Sequence, residues 1–188
     1  MKQVQGSVLW LIEDNPSAVA NLQLEAQRRG VNTDRLVFAQ KIPLQDHLSR
    51  HQADDLFLDT LPYNAHTTAS DSLWAGLPLL TCSGESFASR VAASLLTALN
   101  LQELIASSQA DYEKLAVVLA INPERLKIVR QKLKQNLQST SLSNTSMFTR
   151  HLENAYTQMY DRYHDNLPYD NIFVTDQFQP PSNTQNSK

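Results

Sequence analysis

Short apolar runs alternate with helical patterns through the first half of this sequence, and no other feature constrains the fold as strongly. Four of the runs are predicted to be strands, at residues 8–12, 36–39, 56–58 and 77–81. The first is apolar throughout and is expected to be buried on both faces. Helical patterns follow them at residues 16–29, 44–51, 67–75 and 86–99. This alternation predicts an α/β protein, a parallel sheet with helices on both faces.

The second half of the chain carries a helical pattern only. From about residue 101 onward no strand is predicted, and Asn122 with Pro123 opens a helix with an apolar stripe. A last helix has an aromatic and apolar stripe from Phe148 to Tyr163, which is expected to be a packing surface. We therefore predict a sheet-containing lobe at residues 1–121, C-terminal helices at 122–165 and a partly disordered tail at 166–188.

Composition excludes several functional classes. Among the 188 residues, 16 Lys and Arg and 19 Asp and Glu give a net charge of −3. A chain with this net charge is not attracted as a whole to nucleic acid or to an anionic membrane. Cys82 is the single cysteine, so an intrachain disulfide and a Cys-rich metal site are excluded. No apolar run approaches the roughly 20 residues of a spanning helix, and no secretory signal is evident. A cytoplasmic protein without nucleic-acid or membrane partners is expected.

The most informative stretch follows the third predicted strand. That strand ends near Asp59, a loop follows, and a helix begins at Thr67 or Thr68. The free N–H groups of a helix start attract anions such as a diphosphate, and both threonines add hydroxyl donors. His66 offers a further donor or an aromatic edge, while Asp71 lies on the same helix face and suits the two hydroxyls of a ribose. These residues predict a nucleoside-diphosphate site. The alternative is a plain N-cap followed by a carboxylate near the positive helix end.

Longer stretches of the sequence resemble a known enzyme family. They are LDTLPYNAHTTASDSLWAGLPLLTCSGESFASRVAAS, GSVLWLIEDNPSAVANLQLEAQRRGV and RLVFAQKIPLQDHLSRHQADDLFLDT. Together they are similar to the C-terminal catalytic lobe of the protein O-GlcNAc transferases, glycosyltransferase family 41, which includes SPINDLY-like proteins. The similarity extends more weakly to about Tyr163. It implies a Rossmann-like parallel sheet flanked by helices, the nucleotide-binding lobe of a two-lobed GT-B glycosyltransferase, followed by helices.

The resemblance also implies a reaction and its donor. It implies inverting transfer of N-acetylglucosamine from UDP-N-acetylglucosamine to Ser or Thr hydroxyls of proteins. His66, Thr67 and Thr68 are implied to hold the diphosphate of the UDP-sugar, and Asp71 its ribose. No metal and no cofactor are expected, in agreement with the lack of an Asp-x-Asp motif.

The loop and helix at residues 41–50 are implied to hold the uracil. His47 would pack on the base, Arg50 would lie near it, and the backbone of Ile42 would meet its edge. In the animal enzymes a lysine follows the proline of this loop, whereas a leucine follows it here. Lys41, two residues before the proline, is therefore the candidate to reach the same region.

Parts of the family enzyme are expected to lie outside this chain. Family members carry helical repeats that recruit acceptor proteins, an N-terminal lobe with a catalytic histidine, and an upstream strand and helix with a lysine for the diphosphate. No catalytic residue is therefore assigned here, and the chain is expected to be a truncated or separately encoded piece that needs such a lobe as its partner. In a strand order of 3-2-1-4-5-6 the absent first strand lies mid-sheet, which would leave two apolar edges open. A non-catalytic UDP-sugar-binding module is an alternative.

A phospho-acceptor domain of the response-regulator receiver type is the rival hypothesis. Glu13 and Asp14 after the first predicted strand, with Asp59 after the third, imitate its acidic site and could bind magnesium. The later signals of receivers are not matched, because Thr81 comes too early and Lys114 lies inside a predicted helix. The rival hypothesis is therefore the weaker of the two.

Overall fold

The computed structural model of the protein describes residues 1–174, which form five strands and seven α-helices. The strands are β1 (Leu9–Ile12), β2 (Leu36–Ala39), β3 (Phe57–Leu58), β4 (Leu79–Cys82) and β5 (Ile105–Ala106). The helices are α1 (Pro16–Arg28), α2 (Leu44–Arg50), α3 (Thr67–Trp74), α4 (Val91–Ala98), α5 (Gln109–Ile121), α6 (Pro123–Ser139) and α7 (Thr145–His164). Most of the disorder predicted for the tail concerns residues 175–188, which lie outside the described residues.

All the strand pairs are parallel, and they form two separate sheets. One sheet has the order β1-β2 and the other has the order β3-β4-β5. Helices α1, α3 and α4 make the connections within these sheets, as parallel strands require. Within residues 1–174 no ladder joins the two sheets, so one edge of β1 and one edge of β3 are open. The two edges that were expected to stay open are therefore unpaired among these residues.

Strand β5 corrects the expectation that the chain is only helical after residue 101. It pairs with β4 through Thr81 with Ile105 and Cys82 with Ala106. A strand of two residues is too short to show the period-2 pattern on which a sequence-based prediction depends. Its existence depends on the neighbouring strand, which only the fold brings to it.

The hydrophobic core is confined to one part of the chain. It consists of buried apolar side chains that lie between Ala69 and Leu133 in the sequence. Leu56, Phe57 and other partly buried residues pack against them. By contrast, no residue in 1–50 is buried. The expectation that residues 8–12 are buried on both faces is therefore wrong, since Val8 is 59% exposed and Ile12 is 44% exposed. The reason is that β1 lies at an open edge of a sheet with only two strands.

The chain divides into two compact units, Met1–Gln138 and Ser139–Lys188. Helix α6 contributes Val129 and Leu133 to the core, so the first unit extends past the predicted division at residue 121. In the second unit, α7 starts at the cap Asn144, whose side chain accepts a hydrogen bond from the Met147 N–H at 2.9 Å. Its stripe is exposed rather than packed, contrary to expectation: Phe148, Tyr156 and Tyr163 have most of their surface accessible.

No helix within residues 1–174 combines the length and apolarity needed to cross a membrane.

Candidate functional site

The start of α3 presents unpaired hydrogen-bond donors. His66 occupies the cap position, and its side chain makes no capping hydrogen bond. The first backbone bond of the helix runs from the Ser70 N–H to the His66 carbonyl at 3.1 Å, so the N–H groups of the first turn have no helical acceptor. Thr67 and Thr68 are exposed, and their hydroxyls have no partner in the described part of the chain. This arrangement is suited to an anion.

The ring of His66 is held in place by its surroundings. Its Nε2 donates to the Ala88 carbonyl at 3.2 Å. The ring stacks on Tyr63 with centroids 5.2 Å apart and meets the edge of Phe87 at 5.9 Å. Because the N–H at Nε2 is used by Ala88, His66 contributes its position and its aromatic surface here rather than an Nε2 donor.

Asp71 lies one turn into α3, and its carboxylate accepts no hydrogen bond from residues 1–174. The side chain is half-buried, and its negative charge acts on the imidazole of His47 in α2. His47 and Asp71, which are predicted to meet the base and the ribose, are therefore close enough in the fold for their charges to interact.

Arg50 organises the base-side residues. Its Nε donates to Nδ1 of His47 at 3.0 Å, and its Nη1 donates to the Gln40 carbonyl at 3.0 Å. The guanidinium also lies 4.4 Å from the ring centroid of Trp10, at the distance of a cation–π contact. These contacts connect α2 to β1 and to the loop after β2, and they leave His47 with a defined orientation.

The pKa of His47 is lowered from its ordinary value of 6.5, first by burial and then by the charges of His51 and Arg50, with Asp71 and Asp54 acting in the opposite direction. The hydrogen bond that Nδ1 accepts from Arg50 is made only by the neutral ring. Because the folded pKa is below the unfolded one, the unfolded chain takes up the proton first as the pH falls. His47 therefore lowers the free energy of unfolding as the pH drops from 6.5 towards the folded pKa.

NMR titration of the His47 ring is expected to give a pKa below 6.5, and Arg50→Gln is expected to raise that pKa because it removes a neighbouring cation. Arg29→Gln is the matched control, since Arg29 is an exposed cation that pairs with Glu25 on α1. A wild-type pKa at or above 6.5 would contradict the burial of His47 and its hydrogen bond from Arg50.

Lys41 and Ile42 lie in the loop between β2 and α2. Both side chains are exposed, and Lys41 makes no ion pair or hydrogen bond with the rest of residues 1–174. Lys41 is not among the charged groups that act on His47. Their roles beside the uracil therefore stay predictions.

Three aromatic residues at the site were not identified from the sequence. Tyr63 and Phe87 flank His66 and are 67% and 80% exposed, and Trp10 lies under Arg50. Tyr63 and His66 lie three residues apart in one loop, and this short spacing could have indicated that their rings are in contact. No local signal exists for Trp10 or Phe87, because each reaches the site from a distant part of the chain.

A cleft of about 380 Å³ in the same unit does not include these residues. It runs along β5 and α5, and it is lined by Ile105, Ala106, Ser107, Asp111, Lys114, Leu115, Val118 and Arg125. The residues predicted to bind the UDP-sugar thus occupy a different surface, one shaped by α2 and the start of α3.

The receiver hypothesis is not supported by the position of Asp59. The residue is 4% exposed, and its two carboxylate oxygens accept hydrogen bonds from within the chain. Glu13 instead accepts a hydrogen bond from Gln40 at 2.6 Å. Residues 1–174 contain no group of three His, Cys, Asp or Glu side chains placed to hold a metal ion.

Comparison with known proteins finds relatives over most of the chain. A family model described as glycosyl transferase family 41 matches residues 1–152. A UDP-N-acetylglucosamine–peptide N-acetylglucosaminyltransferase of Caenorhabditis elegans is 34% identical over 172 residues, which cover 92% of this chain and 15% of that protein. A probable enzyme of this name from Arabidopsis thaliana is 33% identical over 162 residues, covering 86% of this chain and 17% of that protein.

A solved structure supports the same relationship. An O-GlcNAc transferase mutant from Thermobaculum terrenum matches with a TM-score of 0.75 at 35% identity, over 81% of this chain and 30% of that one. The predicted fold class, a parallel-sheet lobe of the GT-B type flanked by helices, is thereby confirmed. The chain spans less than a third of the length of each of these proteins. Since the family model covers most of the sequence, the protein belongs to glycosyl transferase family 41.

Proposed function

We propose that the protein is the UDP-sugar-binding lobe of an enzyme that transfers N-acetylglucosamine from UDP-N-acetylglucosamine to Ser and Thr hydroxyls of proteins. The start of α3 carries the proposal, because Thr67 and Thr68 present donors there that have no partner in residues 1–174. The names of the two relatives specify transfer of N-acetylglucosamine to a peptide.

Each part of UDP meets a different element in this proposal. The diphosphate lies on the N–H and hydroxyl groups of Thr67 and Thr68, with the positive end of the helix dipole behind it. The ribose hydroxyls donate to the carboxylate of Asp71, and the uracil packs beside His47 and Arg50. The electrostatic coupling of Asp71 to His47 supports a single continuous site.

The chemical role of this lobe follows from where charge develops. In the transfer, the acceptor oxygen bonds to the anomeric carbon while the bond from that carbon to the diphosphate oxygen breaks. Donors fixed at the start of α3 stabilise the negative charge that grows on the departing diphosphate. No base for the acceptor hydroxyl is assigned to this chain.

A further polypeptide segment is proposed to complete the enzyme. The open edges of β1 and β3 support this, because unpaired backbone groups and exposed apolar residues mark a sheet that can accept another strand. Leu58 on β3 is 42% exposed, and Ile12 on β1 is exposed to a similar extent. Transfer by the purified chain alone is therefore not expected.

Calorimetric titration of the purified chain tests the proposal. UDP and UDP-N-acetylglucosamine are expected to bind, UMP is expected to bind more weakly because it lacks the second phosphate, and ADP is expected to bind more weakly because its base differs. Asp71→Asn is expected to weaken UDP binding several-fold, since one charged acceptor of the ribose is lost. Glu113→Gln, an exposed carboxylate on α5, is the matched control.

The outcomes separate binding from turnover. Saturable UDP binding without transfer of labelled N-acetylglucosamine to peptides agrees with a binding lobe that requires a partner. Equal affinity for UDP and UMP would show that the second phosphate gains no binding energy, and it would contradict the placement of the diphosphate at the start of α3. Absence of any binding would overturn the proposal.

A further inference from the structure

The loop that leads into α3, residues 60–66, is anchored at both of its ends by a single buried carboxylate. Asp59 follows β3, and its Oδ1 accepts hydrogen bonds from the N–H of Thr60 at 2.9 Å and from the N–H of Ala65 at 2.7 Å. The two donors are five residues apart, so one side chain closes the loop. Because Asp59 is 4% exposed, water does not compete effectively for these bonds.

Thr81 connects this carboxylate to strand β4. Its hydroxyl donates to Oδ2 of Asp59 at 2.6 Å and accepts from Nδ2 of Asn64 at 2.7 Å. The same Nδ2 donates to the Cys82 carbonyl at 3.0 Å. Thr81 and Asn64 are 0% and 1% exposed. A hydroxyl is needed at position 81, because no apolar side chain of that shape both donates and accepts.

Two further residues, Tyr112 and Ala88, tie this segment to the rest of the unit. The Tyr112 hydroxyl of α5 donates to the Asp59 carbonyl at 2.8 Å. Burial, reinforced by the Asp59 carboxylate, raises the pKa of Tyr112 above its ordinary 10.0, so the hydroxyl remains a donor. The Ala88 carbonyl accepts from the Asn64 N–H at 3.1 Å and from the His66 ring.

We infer that Asp59, Thr81 and Asn64 are positioning residues for the diphosphate, holding residues 60–66 so that α3 begins with the donors of Thr67 and Thr68 directed outward. The inference rests on the proposed function. Helix α3 has no side-chain cap of its own, so the direction of its first turn depends on the preceding loop. A loop held in the binding conformation before the ligand arrives spares the ordering cost of binding. None of the three residues touches the ligand.

Thr81→Val is the decisive variant, since it removes the hydroxyl and keeps the shape. We expect UDP affinity to fall about tenfold, as for the loss of a buried hydrogen-bond network, when it is measured by calorimetry well below the melting temperature. Thr81→Ser is expected to restore most of the affinity. Leu133→Ala removes a core side chain of α6 and lowers the melting temperature, yet it is expected to leave UDP affinity unchanged.

Amide hydrogen exchange without ligand gives an independent reading. Thr81→Val is expected to speed exchange of the Ala65 amide, whose acceptor is Asp59, and to shift the amide resonances of Thr67 and Thr68. If Thr81→Val does not fold, Tyr112→Phe serves instead, with a smaller loss of UDP affinity in the same direction.

The outcomes distinguish the two ideas. A wild-type chain that does not bind UDP overturns the proposed function. A wild-type chain that binds UDP, together with a Thr81→Val variant that binds it equally well, overturns the positioning role alone. An equal loss of affinity in Leu133→Ala would also overturn it, because general destabilisation would then be the cause.

Discussion

Simultaneous replacement of Thr67 and Thr68 by valine is expected to lower UDP affinity by at least about a hundredfold. Each hydroxyl lost from a charged acceptor costs about 1.5–3 kcal/mol, and the double variant loses two. The backbone N–H groups of the helix start remain, so weak binding persists. Calorimetric titration with UDP measures the effect. Both side chains are exposed, and valine has nearly the helix propensity of threonine, so the melting temperature is expected to change little.

Ser70→Ala is the matched control for this experiment. Ser70 lies on the same helix, is exposed, and its hydroxyl has no partner within residues 1–174. It belongs to the second turn rather than to the helix start, so its loss is expected to leave UDP affinity unchanged. If the double variant bound UDP as tightly as wild type, the diphosphate would not lie at the start of α3.

Hydrogen exchange is expected to divide the first unit into two parts of very different stability. Amides of β1 and β2 are expected to exchange at least about a hundredfold faster than those of β4, because local opening costs less where few apolar groups are buried. No residue in 1–50 is buried, whereas all four residues of β4 are. Native-state exchange read by NMR or mass spectrometry measures the difference.

Helix α4 provides the internal reference for that measurement. It contributes Ala92 and Leu96 to the core and is expected to exchange as slowly as β4. Equal protection of β1 and β4 would contradict the expectation, because it would mean that the two sheets open as one cooperative unit. Addition of a segment that pairs with the open edge of β1 is expected to slow exchange in β1 and β2.

Local patterns predicted most of the secondary structure. The helix start at Pro16 follows from the capping residue Asn15 and the start at Pro123 from proline placement, both of which act over a few neighbouring residues. The start at Thr67 follows from the helical pattern alone, since α3 has no side-chain cap. The β2 strand at residues 36–39 was predicted with its observed bounds. The errors occurred where a distant partner decides the outcome. Strand β5 forms because Thr81 and Cys82 offer it an edge, and β1 stays exposed because nothing in residues 1–174 pairs with its other side.

The candidate site shows the same division. The grouping of Thr67, Thr68 and Asp71 was predictable, because helical spacing alone places them on one face. The coupling of Asp71 to His47 required the fold, since α2 and α3 are separated by β3 and a loop. No sequence pattern indicated that the hydroxyl of Thr81 completes a buried network.

Sequence by itself determined the α/β class, the start of α3 and the family, because periodicity, capping and motif spacing are properties of neighbouring residues. Only the tertiary structure decided which strands pair, which apolar runs are buried and which polar side chains meet at Asp59. Those outcomes depend on contacts between residues far apart in the chain, whose energies arise only once burial excludes water from the groups that meet.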